Sequence, residues 1–256
     1  MTDVGTKAGE PLVVCVDAAR TYGSGPNAVV AVHGVNCAVS AGARIAVVGP
    51  SGSGKSTLLH LMAALDRPTA GTVSHPGLSA DTGGVADILP ARDIGVVFQG
   101  PSLLPPLTAM ENVALPLLID GLEADEAAER ASAALAGLEL EPLAAKLPDE
   151  MSAGQAQRVA VARVLARRPR LILADEPTGQ LDRETARQVM AVLLSAADTL
   201  GAAVLITTHD ARVAGALDER WYMADGRVVR PGIPDTHSRP DTHEHPEPPD
   251  RERESR

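Results

Sequence analysis

Apolar residues along this chain fall into short runs that alternate with longer amphipathic stretches. Runs of a few aliphatic and β-branched residues, bounded by Gly and polar residues, are typical of strands. The predicted strands are residues 12–18, 29–39 (one strand or two), 45–48, 72–74, 94–98, 171–174 and 203–207, with two more around Tyr222 and Val228. Because helical stretches separate most of them, the pattern predicts an α/β fold with a mostly parallel, helix-covered sheet.

Helical spacing appears in three places. The first predicted helix is carried by Leu58, Leu59, Leu61, Met62 and Leu65. Residues 110–168 are rich in Ala, Leu and Glu, with expected breaks at Pro116, Pro142 and Pro148, and residues 184–200 form the third stretch. The block between Gln99 and Leu171 interrupts the succession of strands, so we expect it to form a separate helical lobe.

The composition changes at both ends of this pattern. Residues 75–93 are rich in Gly, Pro, Asp and Ser and are predicted to be mostly loop. From Pro231 the chain carries six prolines and many charges, so residues 1–230 are the expected globular domain and 231–256 a disordered tail. His237, His243 and His245 could bind a metal there, but a solvated tail is the favoured interpretation.

The net charge of −10 and the pI near 5.1 disfavour a nucleic-acid surface, which needs clustered Lys and Arg. No apolar run is long enough to span a membrane, and residues 1–10 lack the apolar segment of a signal peptide. We therefore expect a cytosolic protein that can dock on a membrane protein.

Cys15 and Cys37 have no neighbours at metal-ligand spacing and are expected to be buried, reduced thiols.

A glycine-rich loop follows the strand at 45–48 and precedes the first helix. Its residues are Gly49, Pro50, Ser51, Gly52, Ser53, Gly54, Lys55 and Ser56. The spacing Gly-x-x-x-x-Gly-Lys-Ser in this context is typical of a phosphate-binding loop, whose amides converge on phosphate oxygens at the positive end of a helix. Lys55 supplies charge for the outer phosphates and Ser56 can ligate Mg²⁺. The loop predicts nucleoside triphosphate binding rather than a plain turn.

Two further segments carry chemistry. Asp175 and Glu176 end the apolar run 171–174, at the edge of a parallel sheet where ligands bind. Asp175 is placed to hold Mg²⁺ and Glu176 to polarise an attacking water; an acidic turn before Pro177 is the alternative. Residues 151–158 open a helix in which Ser152 can cap and the Gly154 amide can approach an anion, although an ordinary cap fits as well.

The order of these motifs resembles the ATP-binding subunit of an ABC transporter over residues 12–229. The resemblance implies a P-loop NTPase fold of the ABC type. That fold has a mostly parallel core sheet, an antiparallel β subdomain and a helical subdomain inserted at about residues 100–168. It also implies ATP and Mg²⁺ as ligands and ATP hydrolysis as the activity.

The resemblance assigns roles to individual residues. They are Tyr22 for adenine stacking (turn or core packing being the alternative), Gly49 to Thr57 as Walker A, Gln99 as the Q-loop glutamine that touches Mg²⁺ and water, Ser152, Ala153, Gly154 and Gln155 as the signature, Asp175 and Glu176 as Walker B, Asp182 in the D-loop, and His209 as the switch histidine at the γ-phosphate. The implied metal contacts are Ser56, Gln99 and Asp175, and the implied catalytic residues are Glu176, His209 and Gln99.

One subgroup is especially similar. Arg67-Pro68-Thr69, the segments 103–105 and 108–113, and Ala174 to Gly179 resemble the lipoprotein-releasing, macrolide-exporting and antimicrobial-peptide-handling type. Ala153 departs from the usual Leu-Ser-Gly-Gly signature. It adds a methyl group and restricts the backbone if φ must be positive, so we expect retained but slower hydrolysis. The stretch 77–92 is also shorter and richer in Gly than its counterpart.

One Walker A loop and one signature cannot complete the family's composite site. The resemblance therefore implies an ATP-dependent homodimer, with each signature capping ATP on the other subunit. A separate membrane permease is the other implied partner, received in a groove near residues 99–112; Leu103, Leu104 and Leu107 are candidate contacts, with burial in the lobe equally open. The main alternative is transmembrane signalling, as in a cell-division complex. A DNA-repair or translation ABC ATPase and a simple P-loop kinase are disfavoured.

Overall fold

The computed structural model describes residues 10–78 and 92–229. Within these ranges the strands are β1 (Val13–Tyr22), β2 (Val29–Val39), β3 (Arg44–Val48), β4 (Ala70–Ser74), β5 (Ile94–Val97), β6 (Leu171–Asp175), β7 (Ala203–Thr208), β8 (Glu219–Ala224) and β9 (Arg227–Val229). The α-helices are α1 (Lys55–Met62), α2 (Ala109–Ile119), α3 (Ala124–Ala136), α4 (Ala153–Ala166), α5 (Arg183–Leu200) and α6 (Ala211–Gly215). Short 3₁₀ turns occupy Gly25–Asn27, Glu141–Leu143 and Pro148–Glu150. The predicted tail, its histidines and the stretch 79–91 lie outside the described residues.

The core is a six-stranded sheet in the order β5-β6-β7-β3-β8-β9. All neighbouring pairs are parallel except β8 and β9, which are antiparallel. Because parallel strands end at the same edge, the segments after β3, β5, β6 and β7 all emerge there. The glycine loop, Gln99, the Asp175–Glu176 pair and His209 therefore share one edge of the sheet.

A separate three-stranded antiparallel sheet has the order β2-β1-β4. Residues 29–39 form one strand, and β1 extends four residues beyond the predicted end, to Tyr22. Cys15 lies directly opposite Cys37 in the β1–β2 pairing, and both are buried without a disulfide. The parallel core, this small sheet and the helices confirm the predicted ABC-type fold class.

The helical lobe is built from α2, α3 and α4, which contact one another. Capping boxes start α2 at Thr108 and α4 at Ser152. The predicted break at Pro116 is wrong, because Pro116 lies inside α2. Val113 and Leu117, on either side of it, are both buried, and their packing outweighs the backbone hydrogen bond that proline removes.

Each face of the central sheet is covered by a different apolar cluster. Leu171 and Leu173 of β6 belong to the cluster that includes α1 and the antiparallel sheet. Ile172 and Ala174 belong to the cluster that includes α2 to α5. Leu65 was predicted to continue α1, but the helix ends at Met62 and Leu65 is exposed, because the chain turns back toward β1.

Within the described ranges, no helix combines the length and hydropathy needed to cross a bilayer.

Candidate active site

The glycine loop packs tightly against neighbouring strands. A Cβ atom at Gly49 would overlap the carbonyl oxygen of Met223 in β8, and one at Gly54 would overlap that of Ala31 in β2. Gly54 also has a φ of 98°, which side chains rarely adopt. The Ser53 hydroxyl is buried and has no hydrogen-bond partner among residues 10–78 and 92–229. An unpartnered hydroxyl inside such a loop fits a site for phosphate oxygens.

Lys55 is the first residue of α1 and only 5% exposed. Its Nζ donates hydrogen bonds of 3.0 Å to the carbonyl oxygens of Gly49 and Pro50. The same Nζ lies 3.9 Å from Oε1 of Glu176. The loop carbonyls therefore hold the ammonium group between the phosphate loop and the end of β6.

Asp175 lies at the end of β6 and is tied to two hydroxyl groups. The hydroxyls of Ser56 and Thr207 both donate to its Oδ1, the former at 3.0 Å. A carboxylate oxygen beside a serine hydroxyl is the donor set that Mg²⁺ prefers. The structure thus joins two of the three predicted metal contacts, Ser56 and Asp175.

Glu176 contacts His209, one of the two residues predicted as its catalytic partners. Its Oε2 lies 3.1 Å from Nδ1 of His209, and its side chain is 20% exposed. Oε2 of Glu176 and Nε2 of Gln99 both lie beside Gly179. A Cβ atom on Gly179 would be 3.3 Å from the first and 3.5 Å from the second. The Glu176 backbone has a φ of 42°, and its amide is held by Thr207. This constraint fixes the direction in which the carboxylate leaves the strand.

The segment Ser152–Gln155 makes different contacts. Ser152 caps α4, accepting from the Gln155 amide at 3.2 Å, while Gly154 packs on Thr185 of α5. Thr185 donates from its hydroxyl to Asp182 at 2.6 Å. Ser152 and Ala153 are exposed, and among the described residues no hydrogen bond joins this segment to the glycine loop. Among the described residues, the segment is therefore held by contacts at the start of α4 and with α5.

Comparison with known proteins identifies the family. The model of the family described as "ABC transporter" matches residues 32–179, more than half of the chain. This chain belongs to the ABC transporter family. It is an ATP-binding, ATP-hydrolysing subunit.

Several relatives of this ABC ATPase are similar over most of their length. Lipoprotein-releasing system ATP-binding proteins LolD from Nitrobacter hamburgensis and Geobacter metallireducens are each 43% identical. The matches cover 86% and 85% of this chain and 95% and 98% of the relatives. The dimeric, ADP- and phosphate-bound ATP-binding cassette MJ0796 is 38% identical with a TM-score of 0.75, covering 85% of this chain and 97% of that one. CbiO1 from Clostridium perfringens is 28% identical with a TM-score of 0.73, covering 86% and 87%.

Ala153 of the ABC signature does not carry the expected backbone strain. It is the first residue of α4 and is not among the residues with positive φ. The added methyl therefore has no local conformational cost, and the backbone reason for slower hydrolysis is absent.

Sequence reasoning missed three residues that shape this ABC site. Thr207 binds Asp175, Thr185 packs on Gly154, and Gln157 donates from Nε2 to the Phe98 carbonyl at 3.1 Å, next to Gln99. The sequence could have indicated Thr207, because it is a polar residue at the end of an otherwise apolar strand. Gln157 is 1% exposed although it lies in a run of polar residues, and no local pattern reveals that burial.

Proposed function

We propose that this ABC ATPase drives a lipoprotein-releasing transporter, acting as an ATP-dependent homodimer on a separate membrane permease. The observation that carries the proposal is that two groups of predicted ATP-binding residues make separate sets of contacts within the described part of the subunit. Lys55 and His209 both contact Glu176, and Asp175 bonds the Ser56 hydroxyl next to Lys55, whereas the exposed Ser152 forms its hydrogen bonds with Gln155 at the start of α4. The identity to LolD proteins along nearly their whole length supports the choice of cargo.

Mg²⁺ is the cofactor that the donor set favours. Ser56 and Asp175 would hold it, with Gln99 on the neighbouring strand end, and the ion would neutralise charge on the β- and γ-phosphates. Both protein oxygens are already within hydrogen-bond distance of each other. Little rearrangement is therefore needed to present them to one cation.

In hydrolysis Glu176 orients the attacking water and accepts its proton. His209 contacts the γ-phosphate and, through Nδ1, keeps the carboxylate in place. Lys55 would turn from the loop carbonyls to the outer phosphates, where its charge offsets that of the phosphoryl oxygens. Tyr22 stacks on the adenine, which places the triphosphate in the loop.

In the dimer, the signature of one subunit caps ATP bound by the other. The N-terminus of α4, with Ser152, Ala153 and Gly154, offers amide groups and a positive helix end to a phosphate. Asp182 and Thr185 fix the start of α5 beside it. ATP binding then closes the dimer, and loss of the γ-phosphate reopens it.

The permease is received at the helical lobe. A crevice of about 250 Å³ lies between α2 and α4. Its lining includes the apolar side chains of Leu104, Leu115 and Ile119 and the charged side chains of Asp120, Arg163 and Arg167. Leu104 and Ile119 are 44% and 76% exposed. A helix from the cytoplasmic side of the permease would cover them and hold the ATPase at the membrane surface.

Co-purification tests the assignment. Tagged full-length chain is crosslinked in cells, extracted from membranes in detergent and analysed by mass spectrometry. We expect one integral membrane permease with the wild type, loss of it with Leu104→Glu, and ATP turnover by the wild-type complex that rises when a lipoprotein is added. Leu65→Glu, on another exposed surface, is the matched control and should retain the permease. A wild-type chain that hydrolyses ATP but captures no permease would overturn the proposal. A complex that responds only to cell-division proteins would favour signalling instead.

A further inference from the structure

The turn that follows α1, Asp66-Arg67-Pro68-Thr69, is bound to the end of β1. Thr69 donates to the Ala19 carbonyl from its amide at 2.8 Å and from its hydroxyl at 3.2 Å. The same hydroxyl accepts a hydrogen bond from the Thr21 amide at 3.2 Å. The Asp66–Thr69 turn is therefore hydrogen-bonded to β1 on both sides of Arg20, next to the predicted adenine-binding Tyr22.

Asp66 uses both carboxylate oxygens in this turn. The Tyr22 hydroxyl donates to Oδ2 at 2.9 Å, and Nε of Arg20 lies 2.9 Å from the same atom. The Arg67 amide donates to Oδ1 at 2.8 Å. Burial raises the pKa of Asp66, but the hydrogen bonds from Tyr22 and Arg67 and the charge of Arg20 outweigh it and hold the pKa below its usual range. The group is thus a carboxylate at neutral pH, with two hydrogen-bond donors and one positive charge around it.

Arg20 also covers one face of the tyrosine ring. Its guanidinium carbon lies 4.7 Å from the centre of the Tyr22 ring, a distance suited to a cation–π contact. Tyr22 is nevertheless 39% exposed. With one face under Arg20 and the hydroxyl held by Asp66, the ring has one defined orientation and presents its other face outward.

We propose that Asp66 is a positioning residue for base recognition: with Arg20 it holds Tyr22 so that the open face of the ring stacks on a purine. The inference rests on the role of Tyr22 given under the proposed function. It assigns a task to the Asp66–Thr69 turn, which lies beyond the far end of α1 from Lys55. One short helix thereby connects the groups that bind the triphosphate to the groups that orient the base.

Affinity for ligands with and without a base tests this inference. The dissociation constants of ATP, UTP and inorganic tripolyphosphate are measured by calorimetry for the full-length chain. We expect ATP to bind more tightly than UTP, because purines stack more strongly. Asp66→Ala and Tyr22→Phe should each weaken ATP binding by about fivefold, the size of an aromatic contact, because both variants lose the Tyr22–Asp66 hydrogen bond that orients the ring. Tripolyphosphate binding should not change, since its groups contact only the glycine loop.

A double-variant cycle separates positioning from general damage. In a Tyr22→Ala background, adding Asp66→Ala should cause no further loss of ATP affinity, because the ring it positions is gone. Asp66→Asn keeps the size and shape of the side chain, and it replaces Asp66→Ala in this cycle if that variant does not fold. Asp125→Ala, an exposed carboxylate at the start of α3, is the matched control and should change nothing.

Equal losses of affinity for ATP and tripolyphosphate would overturn the inference, and so would additive losses in the double variant. Unchanged ATP affinity in Asp66→Ala and Asp66→Asn would overturn it as well, while leaving the ATPase assignment intact. A wild-type chain that fails to hydrolyse ATP would instead refute the proposed function itself.

Discussion

Nδ1 of His209 lies 3.1 Å from Oε2 of Glu176, so the first residues after two neighbouring strands meet at the open edge of the sheet. His209 is 64% exposed, whereas Glu176 is 20% exposed. The histidine is therefore accessible to a phosphate while the carboxylate stays sheltered behind it. This arrangement suits a base that acts on a water held against the γ-phosphate.

Glu176→Gln should abolish hydrolysis and preserve ATP binding. The amide cannot accept the proton of the attacking water, but it keeps the size of the carboxylate and a hydrogen bond to His209. We expect kcat to fall by at least about a hundredfold. Size-exclusion chromatography with light scattering should show a stable dimer in Mg-ATP. Glu129→Gln, an exposed carboxylate in α3, is the control. A variant that stays monomeric with saturating ATP would contradict the dimer.

Gly154→Ala should destabilise the subunit, and Thr185→Ser should rescue it. A Cβ at position 154 would overlap Cγ2 of Thr185, whose hydroxyl is fixed by Asp182. The threonine cannot rotate away without breaking that bond, so we expect a loss of about 1–3 kcal/mol in the free energy of unfolding. Serine lacks Cγ2 but keeps the hydroxyl. Urea denaturation of the single and double variants checks this, and an equally unstable double variant would exclude the clash.

Asn112→Asp should loosen the loop that precedes α2. Asn112 is 1% exposed, and its Nδ2 donates to the carbonyls of Leu104, Leu107 and Thr108 at 2.8–3.1 Å. A carboxylate oxygen would face these acceptors instead, which costs about 2 kcal/mol or more. The midpoint temperature of thermal unfolding should fall, and less permease should be captured. Asn27→Asp, at an exposed position, is the control, and equal stability of the two variants would refute this role.

The ion pair after His209 predicts a pH-dependent contribution to stability. Hydrogen bonds from Arg212 lower the pKa of Asp210 to about 2 from 3.8. Because the pKa is depressed in the folded state, the stabilisation is present above about pH 4 and is lost as the pH falls toward 2. Asp210→Asn keeps the cap on the Arg212 amide but removes the charge. Urea denaturation should show that the wild type has a slightly larger free energy of unfolding than the variant at pH 7. This difference should narrow below pH 4. The difference is small because Arg212 is 65% exposed and solvent screens it. A difference that grows in acid would contradict the assignment.

Sequence patterns were sufficient where a structural feature is determined by neighbours along the chain. The glycine loop between β3 and α1, the apolar run of β6 and the Ser152 cap were all predicted at their observed positions. These features depend on local backbone conformation and on periodic burial, which a single segment encodes.

Patterns failed where distant packing decides the outcome. Pro116 stays inside α2 because two flanking residues are buried against other helices, and five-residue α6 is too short to show a period. Cys15 and Cys37, 22 residues apart in the sequence, lie opposite each other because β1 and β2 pair. The contacts of Thr207 and Gln157 likewise join segments about 30 and 60 residues apart.

The two apolar clusters on opposite faces of the sheet also decide which side chain can reach the metal. Leu171 and Leu173 point toward α1, and Asp175 continues their side of β6 to meet Ser56 at the start of that helix. Because alternate residues of a strand face opposite sides of the sheet, the number of residues in β6 before Asp175 determines which side its carboxylate faces. Deleting a single residue between 171 and 174 would keep every motif readable in the sequence, yet it would turn Asp175 toward the helical lobe and leave Ser56 without its carboxylate.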